Sequence, residues 1–305
     1  MSIAPRYSTF KLRELKVSVV IPTKDRPSEV ERLLSELLRQ TLIPDEVIVV
    51  DDSSNQQTKY VVEKLKPIYS QKRVKLRYIR NANSSSRART LGGFVAQGDI
   101  IIYVDDDLHL ESFALRCLIS SLVKTNAIAV WGKVSFPDMK YAEGGMLVGL
   151  LDRSIRNLIF GSITYGGGLF AVYRKVLNEG VLFDWNMSGY ALFEDQDFSC
   201  NLIKRYGLES VIMLRSPVLA VNTSALLKSR EFFINLFGNS FYLCFKWKGV
   251  FGLITFTYVS LIICLFYIMS RGGIRGKALI NSLEILKSYL YTIRRLPKII
   301  SGNWA

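Results

Sequence analysis

The sequence predicts an α/β fold, a mostly parallel sheet with helices on both faces, followed by membrane-associated helices. Three observations carry this reading. Short apolar runs alternate with amphipathic helical stretches through the first two thirds, two of those runs end directly in aspartates, and a long uncharged stretch lies near the C-terminus. Parallel strands need crossover helices and are buried on both faces, so apolar runs alternating with helices point to a covered parallel sheet.

Residues 17–21 are an apolar run ended by Pro22, and residues 47–50 a second ended by Asp51-Asp52. Between them, residues 27–39 place Val30, Leu33, Leu34, Leu37 and Leu38 on one helical face, with Pro27 suited to the first turn. A third strand is expected over 74–79, a second helix over 86–97, a fourth strand over 100–104, a helix over 111–124 and a strand over 127–134. Beyond Pro137, Gly144, Gly145 and Gly149 interrupt the pattern, ahead of the cluster Gly166-Gly167-Gly168. A strand over 169–173 and a helix over 194–205 complete the α/β part.

The chain has 305 residues, an apolar fraction of 49% and a net charge of +14. That length holds one large domain and an appendage, and the pairing of high apolar content with basic charge points to a membrane surface. From Val221 to Ala305 there are eleven Lys or Arg against Glu231 and Glu284, a local excess of nine. The same quarter contains Gly249 to Ser270, twenty-two residues without a charge, flanked by Lys246 and Lys248 before and Arg271 and Arg275 after. As a helix that run spans a hydrocarbon core of roughly 30 Å. The aromatic segment 224–247 is too polar to cross and is expected at the interface, and 274–295 reads as interfacial or as a second span. The expected organisation is therefore a basic segment over 1–16, an α/β domain over 17–223 and a membrane-associated region over 224–305. Arg6, Lys11, Arg13 and Lys16 precede a strand pattern, not a signal-peptide run, so the α/β domain is expected on the cytoplasmic face. Cys117, Cys200, Cys244 and Cys264 have no zinc spacing and are expected to stay thiols. The basic charge surrounds an apolar helix, which argues against a nucleic-acid partner.

The segment from Asp99 to His109 drives an apolar strand into Asp105-Asp106-Asp107 and the only histidine. Three adjacent carboxylates repel one another unless a cation sits among them. At the carboxyl end of a parallel strand they stand where open α/β sheets bind ligands, and hard oxygen ligands suit Mg²⁺ or Mn²⁺ carrying a diphosphate. Neither a G-x-G-x-x-G fingerprint nor a Walker phosphate loop is present. Basic side chains must then help hold the diphosphate, and Arg87 and Arg89, opening the helix before the triplet, are placed to do so. His109 reads either as packing or as a ligand beside Asp107, and the ligand reading favours Mn²⁺ because imidazole is the softer donor.

Taken together, VSVVIPTKDRP, EVIVVDDSS, the Ala88-Arg89 helix, GDIIIYVDDD, YGGGLFAVYRKVL and FEDQDFSCNLIKRYG, in this order, resemble the inverting glycosyltransferases of family 2. These have the GT-A fold, a Rossmann-like, mostly parallel sheet with helices on both faces. The resemblance covers roughly residues 17–207. It implies that Pro22, Thr23, Asp25 and Asp52 line the base and ribose site, that Asp105 and Asp106 approach the ribose and phosphates, and that Asp107 binds the metal. Glu194-Asp195 resembles the family's acidic motif, whose second residue is the catalytic base. An acceptor sugar hydroxyl is a poor nucleophile at neutral pH, and a positioned carboxylate accepts its proton as it attacks the anomeric carbon. Glu194, Lys228 and Arg230 are secondary candidates for contact with acceptor or lipid phosphate.

Two departures from the family pattern bear on substrate. Thr90 stands where an asparagine is usual, and the Gln-x-x-Arg-Trp motif of processive synthases is absent, which argues against long-polymer synthesis. The overall pattern is similar to a small archaeal membrane mannosyltransferase of lipid-linked glycan assembly, which implies GDP-mannose as donor and a lipid-linked glycan as acceptor. Transfer to a polyprenyl phosphate is the alternative within the class, and a non-catalytic nucleotide-binding membrane scaffold the alternative outside it.

Overall fold

The computed structural model describes residues 15–80, 84–135, 154, 158, 165–187, 189, 192–222, 230–270 and 277–301. They belong to two compact units. The first takes in Met1–Pro137, Tyr165–Asp184 and Asp195–Ser224; the second takes in Asp138–Thr164, Trp185–Glu194 and Ala225–Ala305.

An eight-stranded sheet organises the first unit. Its strands are β1 (Val17–Thr23), β2 (Glu46–Asp51), β3 (Lys75–Arg80), β4 (Ile100–Val104), β5 (Leu108–Leu110), β6 (Ala129–Ser135), β7 (Leu169–Tyr173) and β8 (Val211–Asn222), in the order β3-β2-β1-β4-β7-β6-β8-β5. The β3-β2-β1-β4 half is parallel, as the apolar runs predict. Its register sets Thr23 beside Asp51, so β1 and β2 end together on one rim. The other half is mixed: β7 runs antiparallel to β4 and β6, β6 and β8 pair in parallel, and β5 is antiparallel to β8.

Helices α1 (Pro27–Leu37), α2 (Gln57–Gln71), α3 (Ser85–Val95), α4 (Ala114–Thr125), α5 (Lys175–Asn178) and α6 (Glu194–Tyr206) accompany the sheet. Pro27 opens α1, whose Val30, Leu33, Leu34 and Leu37 are buried. Ser84 caps α3 by accepting from the Arg87 N–H at 3.2 Å. β1, β2 and β4 are buried along their whole length and form the floor of one hydrophobic core.

Three elements escape the periodicity. α2 carries Pro67 inside it and buries only Thr58, Val62, Leu65 and Tyr69. β8 buries only Val211, Leu219 and Ala220 and exposes Arg215, Ser216 and Pro217 in its middle, and β5 is three residues long. The helix expected from residue 111 begins at Ala114, because the Glu111 N–H donates to Leu219 O (2.9 Å).

The second unit contains α7 (Arg230–Ser270), α8 (Lys277–Arg294) and α9 (Leu296–Ile300). By length and composition alone Phe232–Ile263 within α7 is apolar enough to cross a membrane, but it comprises two helical limbs that meet at Gly249. Gly249 divides α7 with φ 59° and ψ −150°, a backbone conformation that side chains disfavour. Phe241 meets Phe256 with ring centroids 5.0 Å apart. Those residues would be about 22 Å apart on a straight helix, so the chain folds back at Gly249. Tyr289 of α8 packs on Phe237, donates to Thr257 O at 2.8 Å and accepts from Ser260 Oγ at 3.2 Å. The opposite side of the second limb exposes Val250, Phe251, Ile254, Tyr258, Ile262 and Leu265.

Candidate active site

The ends of β1, β2 and β4, the start of α3, the glycine turn before β7 and the start of α6 supply the site. At β2, Asp51 is fully buried and accepts from the Ser53 N–H (2.9 Å), from Ser53 Oγ and from Tyr78 OH (2.8 Å). Burial and the Asp51 carboxylate push the Tyr78 hydroxyl up to about 12, so it remains a donor. Ser53 Oγ in turn accepts from the Asp25 N–H at 2.7 Å, where Asp25 has φ 55°. Asp51 thus fixes the loop, and the neighbouring Asp52 carboxylate lies 3.8 Å from Lys24 Nζ. Pro22 is buried within β1.

Each aspartate of the triplet has its own partners. Asp105 is paired with Arg89, whose guanidinium is buried and lies 6.0 Å from the Phe183 ring centroid. Asp106 accepts from Thr23 Oγ1 at 2.6 Å and from Arg26 Nη1 at 2.9 Å. Asp107 accepts from Arg26 Nη1 at 3.1 Å and from Asn222 Nδ2 at 3.1 Å. Burial raises the Asp105 carboxyl to about 7 against the pull of Arg89, with Asp107, Asp195 and Asp106 adding to the rise. Asp106 is raised to about 6 by burial, against Arg26 and Thr23.

The glycines explain how Asp195 reaches this rim. Gly167 has φ 127°, and its N–H donates to Asp195 Oδ2 at 2.6 Å, while the Gln196 N–H donates to Oδ1 at 2.9 Å. Two backbone donors therefore aim the carboxylate. A Cβ on Gly166 would lie 3.0 Å from Asp195 Oδ2, and one on Gly168 would lie 1.9 Å from Asp105 Oδ2. The turn must be glycine because both carboxylates lie against its backbone. Asp105 N–H donates to Gly168 O at 2.9 Å, tying the turn to the end of β4.

The remaining expected residues are placed as follows. Arg87 is half-buried in the first turn of α3. Thr90 is buried and its hydroxyl donates to Phe183 O at 3.5 Å, so it serves packing where the family pattern has asparagine. His109 lies on β5 with Nδ1 3.3 Å from Glu36 Oε1 of α1. Among the described residues no group of three or more His, Cys, Asp and Glu side chains gathers as a self-contained metal site. Glu194 is buried at the start of α6. Lys228 lies outside the described residues, and only the backbone of Arg230 is described, at the start of α7.

Sequence reasoning passed over Arg26, Asn222 and Gly167. Arg26 directly follows the PTKD run, but what marks it is its contact with the distant Asp106 and Asp107. Asn222 closes β8, a strand the periodicity did not show, so nothing local pointed to it.

A mixed sheet with a carboxylate triplet on its rim and a glycine-seated aspartate beside it places an α/β enzyme's site at the carboxyl ends of its strands. Residues 18–182 match the glycosyl transferase family 2 profile, and the chain belongs to that family. It is 30% identical over 171 residues to the Staphylococcus aureus poly(ribitol-phosphate) β-N-acetylglucosaminyltransferase TarP, covering 52% of this chain and 49% of that one. It is 27% identical over 176 residues to the Campylobacter jejuni GalNAc(5)-diNAcBac-PP-undecaprenol β-1,3-glucosyltransferase, covering 57% and 56%. The chain thus matches only about half the length of these curated relatives. Two solved structures share the GT-A-like fold. TarS residues 1–349 with UDP superpose with a TM-score of 0.52 at 18% identity over 95% of this chain and 88% of that one. Mycobacterium tuberculosis glucosyl-3-phosphoglycerate synthase with Mn²⁺, UDP-glucose and phosphoglyceric acid gives 0.54 at 16% over 76% and 84%.

Proposed function

We propose that the protein transfers a single sugar, with inversion, from a nucleotide sugar to a hydroxyl of a lipid-linked glycan, with Asp195 as the base. The observation that carries this reading is the seating of the Asp195 carboxylate on the Gly167 and Gln196 N–H groups, beside Asp105. Attack by an already ionised lipid phosphate needs no such base, which ranks a polyprenyl-phosphate acceptor second. A binding scaffold has no use for an oriented carboxylate in a rim already crowded with negative charge.

The donor set suits a divalent cation. Asp105 and Asp107 present oxygens that repel one another, the Arg26 guanidinium stands between Asp106 and Asp107 as a positive charge, and burial lifts Asp105 to about 7. Mg²⁺ or Mn²⁺ takes one or two carboxylates from a protein and completes its shell with phosphates and water, so a self-contained site is not required. Asp107 and Asp105 would hold it, with His109 the further ligand to test. When bound, the ion supplies positive charge to the departing diphosphate. Asp52 reads the base, Thr23, Asp25 and Asp106 line the ribose side, and Arg87 faces the phosphates, with Arg89, paired to Asp105, adding positive charge behind them.

The lipid-linked acceptor follows from the C. jejuni relative's name and from the apolar face of α7. We place the first unit on the cytoplasmic side, in keeping with free thiols at Cys117, Cys200 and Cys244. GDP-mannose is the donor the archaeal resemblance implies. The relatives are named for N-acetylglucosamine and glucose, and the aligned structures hold UDP, which makes UDP-sugars the first donors to try. Calorimetric titration with UDP-glucose, UDP-N-acetylglucosamine and GDP-mannose, in Mn²⁺ and again in EDTA, tests the reading. Metal-dependent binding of one donor is expected, and no binding to any of them overturns it.

A further inference from the structure

Arg26 is a cation on the carboxylates of the aspartate triplet that the sequence pattern did not mark, and it sits on the residue assigned to the metal. Its Nη1 bridges Asp106 Oδ1 at 2.9 Å and Asp107 Oδ2 at 3.1 Å, with the side chain about a quarter exposed (27%). The two carboxylates are not held alike. Asp106 has Thr23 on its other oxygen at 2.6 Å and is 7% exposed, so it is locked whether or not Arg26 stays. Asp107 is 17% exposed and has only a neutral amide, Asn222 Nδ2, on its other oxygen. Arg89 is committed to Asp105 and buried. Counting Asp105, Asp106, Asp107 and Asp195 against Arg26 and Arg89 leaves a formal excess of two negative charges when all are ionised.

We propose that Arg26 is a resident counter-cation that occupies Asp107 until a donor diphosphate draws it away, so that divalent metal and nucleotide bind cooperatively. The inference rests on the metal-dependent donor reading above. A guanidinium and a divalent ion compete for the same Asp107 oxygen, and a metal entering alone leaves Arg26 facing like charge at short range. A diphosphate supplies Arg26 with a new partner of the geometry guanidinium groups favour, and the penalty on the metal disappears. Arg26 opens the turn into α1 directly after Asp25, whose φ is 55°, so the side chain leaves from the same loop that the nucleotide is expected to cover.

The test is Mn²⁺ binding followed by the electron paramagnetic resonance signal of free Mn²⁺, in the full chain, with and without UDP or GDP. In the wild type, nucleotide should strengthen Mn²⁺ binding by about tenfold or more, and by reciprocity Mn²⁺ should strengthen nucleotide binding equally. Arg26→Gln should bind Mn²⁺ about tenfold more tightly than wild type without nucleotide and lose most of the nucleotide increment. Arg26→Lys keeps the charge without the fork and should fall between them, which decides the question if the glutamine variant does not fold. Unchanged Mn²⁺ affinity in the variants, with the increment intact, overturns the exchange. If wild type binds nucleotide but no Mn²⁺ under any condition, the metal-dependent reading itself falls and the exchange falls with it.

Discussion

At the residue scale, Asp51 and Asp52 show how adjacent identical side chains divide their work. Asp51 is spent on Ser53 and Tyr78 and shapes the loop, while Asp52 lies beside Lys24 and is the residue proposed to read the base. Asp52→Ala should therefore weaken nucleotide binding by about 10- to 100-fold, the worth of a charge-assisted hydrogen bond, with little loss of stability. Asp51→Ala should lower the melting temperature as well, because the half-buried Tyr78 and the buried Ser53 donors lose their acceptor. The raised Asp105 carboxyl has a stability consequence with a definite sign. Its folded value of about 7 exceeds the ordinary 3.8, so the folded state binds protons more tightly than the unfolded chain. The stability this contributes is present in full below 3.8 and is lost as pH climbs toward 7. In metal-free buffer the melting temperature of Asp105→Asn should accordingly fall less steeply across that window than that of wild type. The triplet was legible because charge at the end of an apolar run is conspicuous, and Asp195 through the resemblance of Glu194-Asp195 to the family's acidic motif. Arg26 and Asn222 were not, because what makes them matter is a neighbour about eighty or more positions away: 80 for Arg26 to Asp106, 115 for Asn222 to Asp107.

At the element scale, the turn before β7 links the fold to the chemistry. Gly168 has φ 71° and its backbone lies against Asp105, so no other residue fits without moving that carboxylate. Gly168→Ala should cost roughly 1–2 kcal/mol from the backbone conformation alone, and it should depress transfer more than nucleotide binding. Thermal unfolding and turnover on one preparation check both halves. The parallel half of the sheet and α1 and α4 were readable from period and burial, since each carries an apolar face or run that the core requires. α2 was hidden by Pro67 and a mostly exposed surface, and β8 by the exposed Arg215-Ser216-Pro217 that splits its apolar run. Both lie where few side chains are buried, so pattern alone gives little to read.

At the scale of the whole molecule, the second unit is a folded helical assembly and not a bare anchor. The fold-back at Gly249 gives α7 one face packed on α8 and another that is apolar and exposed. The sequence showed the apolar run and its basic flanks, but a helix that is apolar all round does not disclose which side is packed. With single fluorescent labels in anionic vesicles, a lipid-phase quencher should reach positions 251, 254, 258 and 262 and leave 256 and 260 protected. Equal protection at all six would mean that this face does not meet lipid.

The central claim is that the Asp195 carboxylate takes the proton of an acceptor hydroxyl. It is tested most directly by comparing wild type and Asp195→Asn in one set of samples, with donor binding by calorimetry and transfer to a lipid-linked glycan followed chromatographically. The amide keeps the size of the side chain and removes the base. The account predicts donor binding near wild type with transfer reduced by about 10²–10⁴-fold. Transfer at the wild-type rate by Asp195→Asn would contradict it.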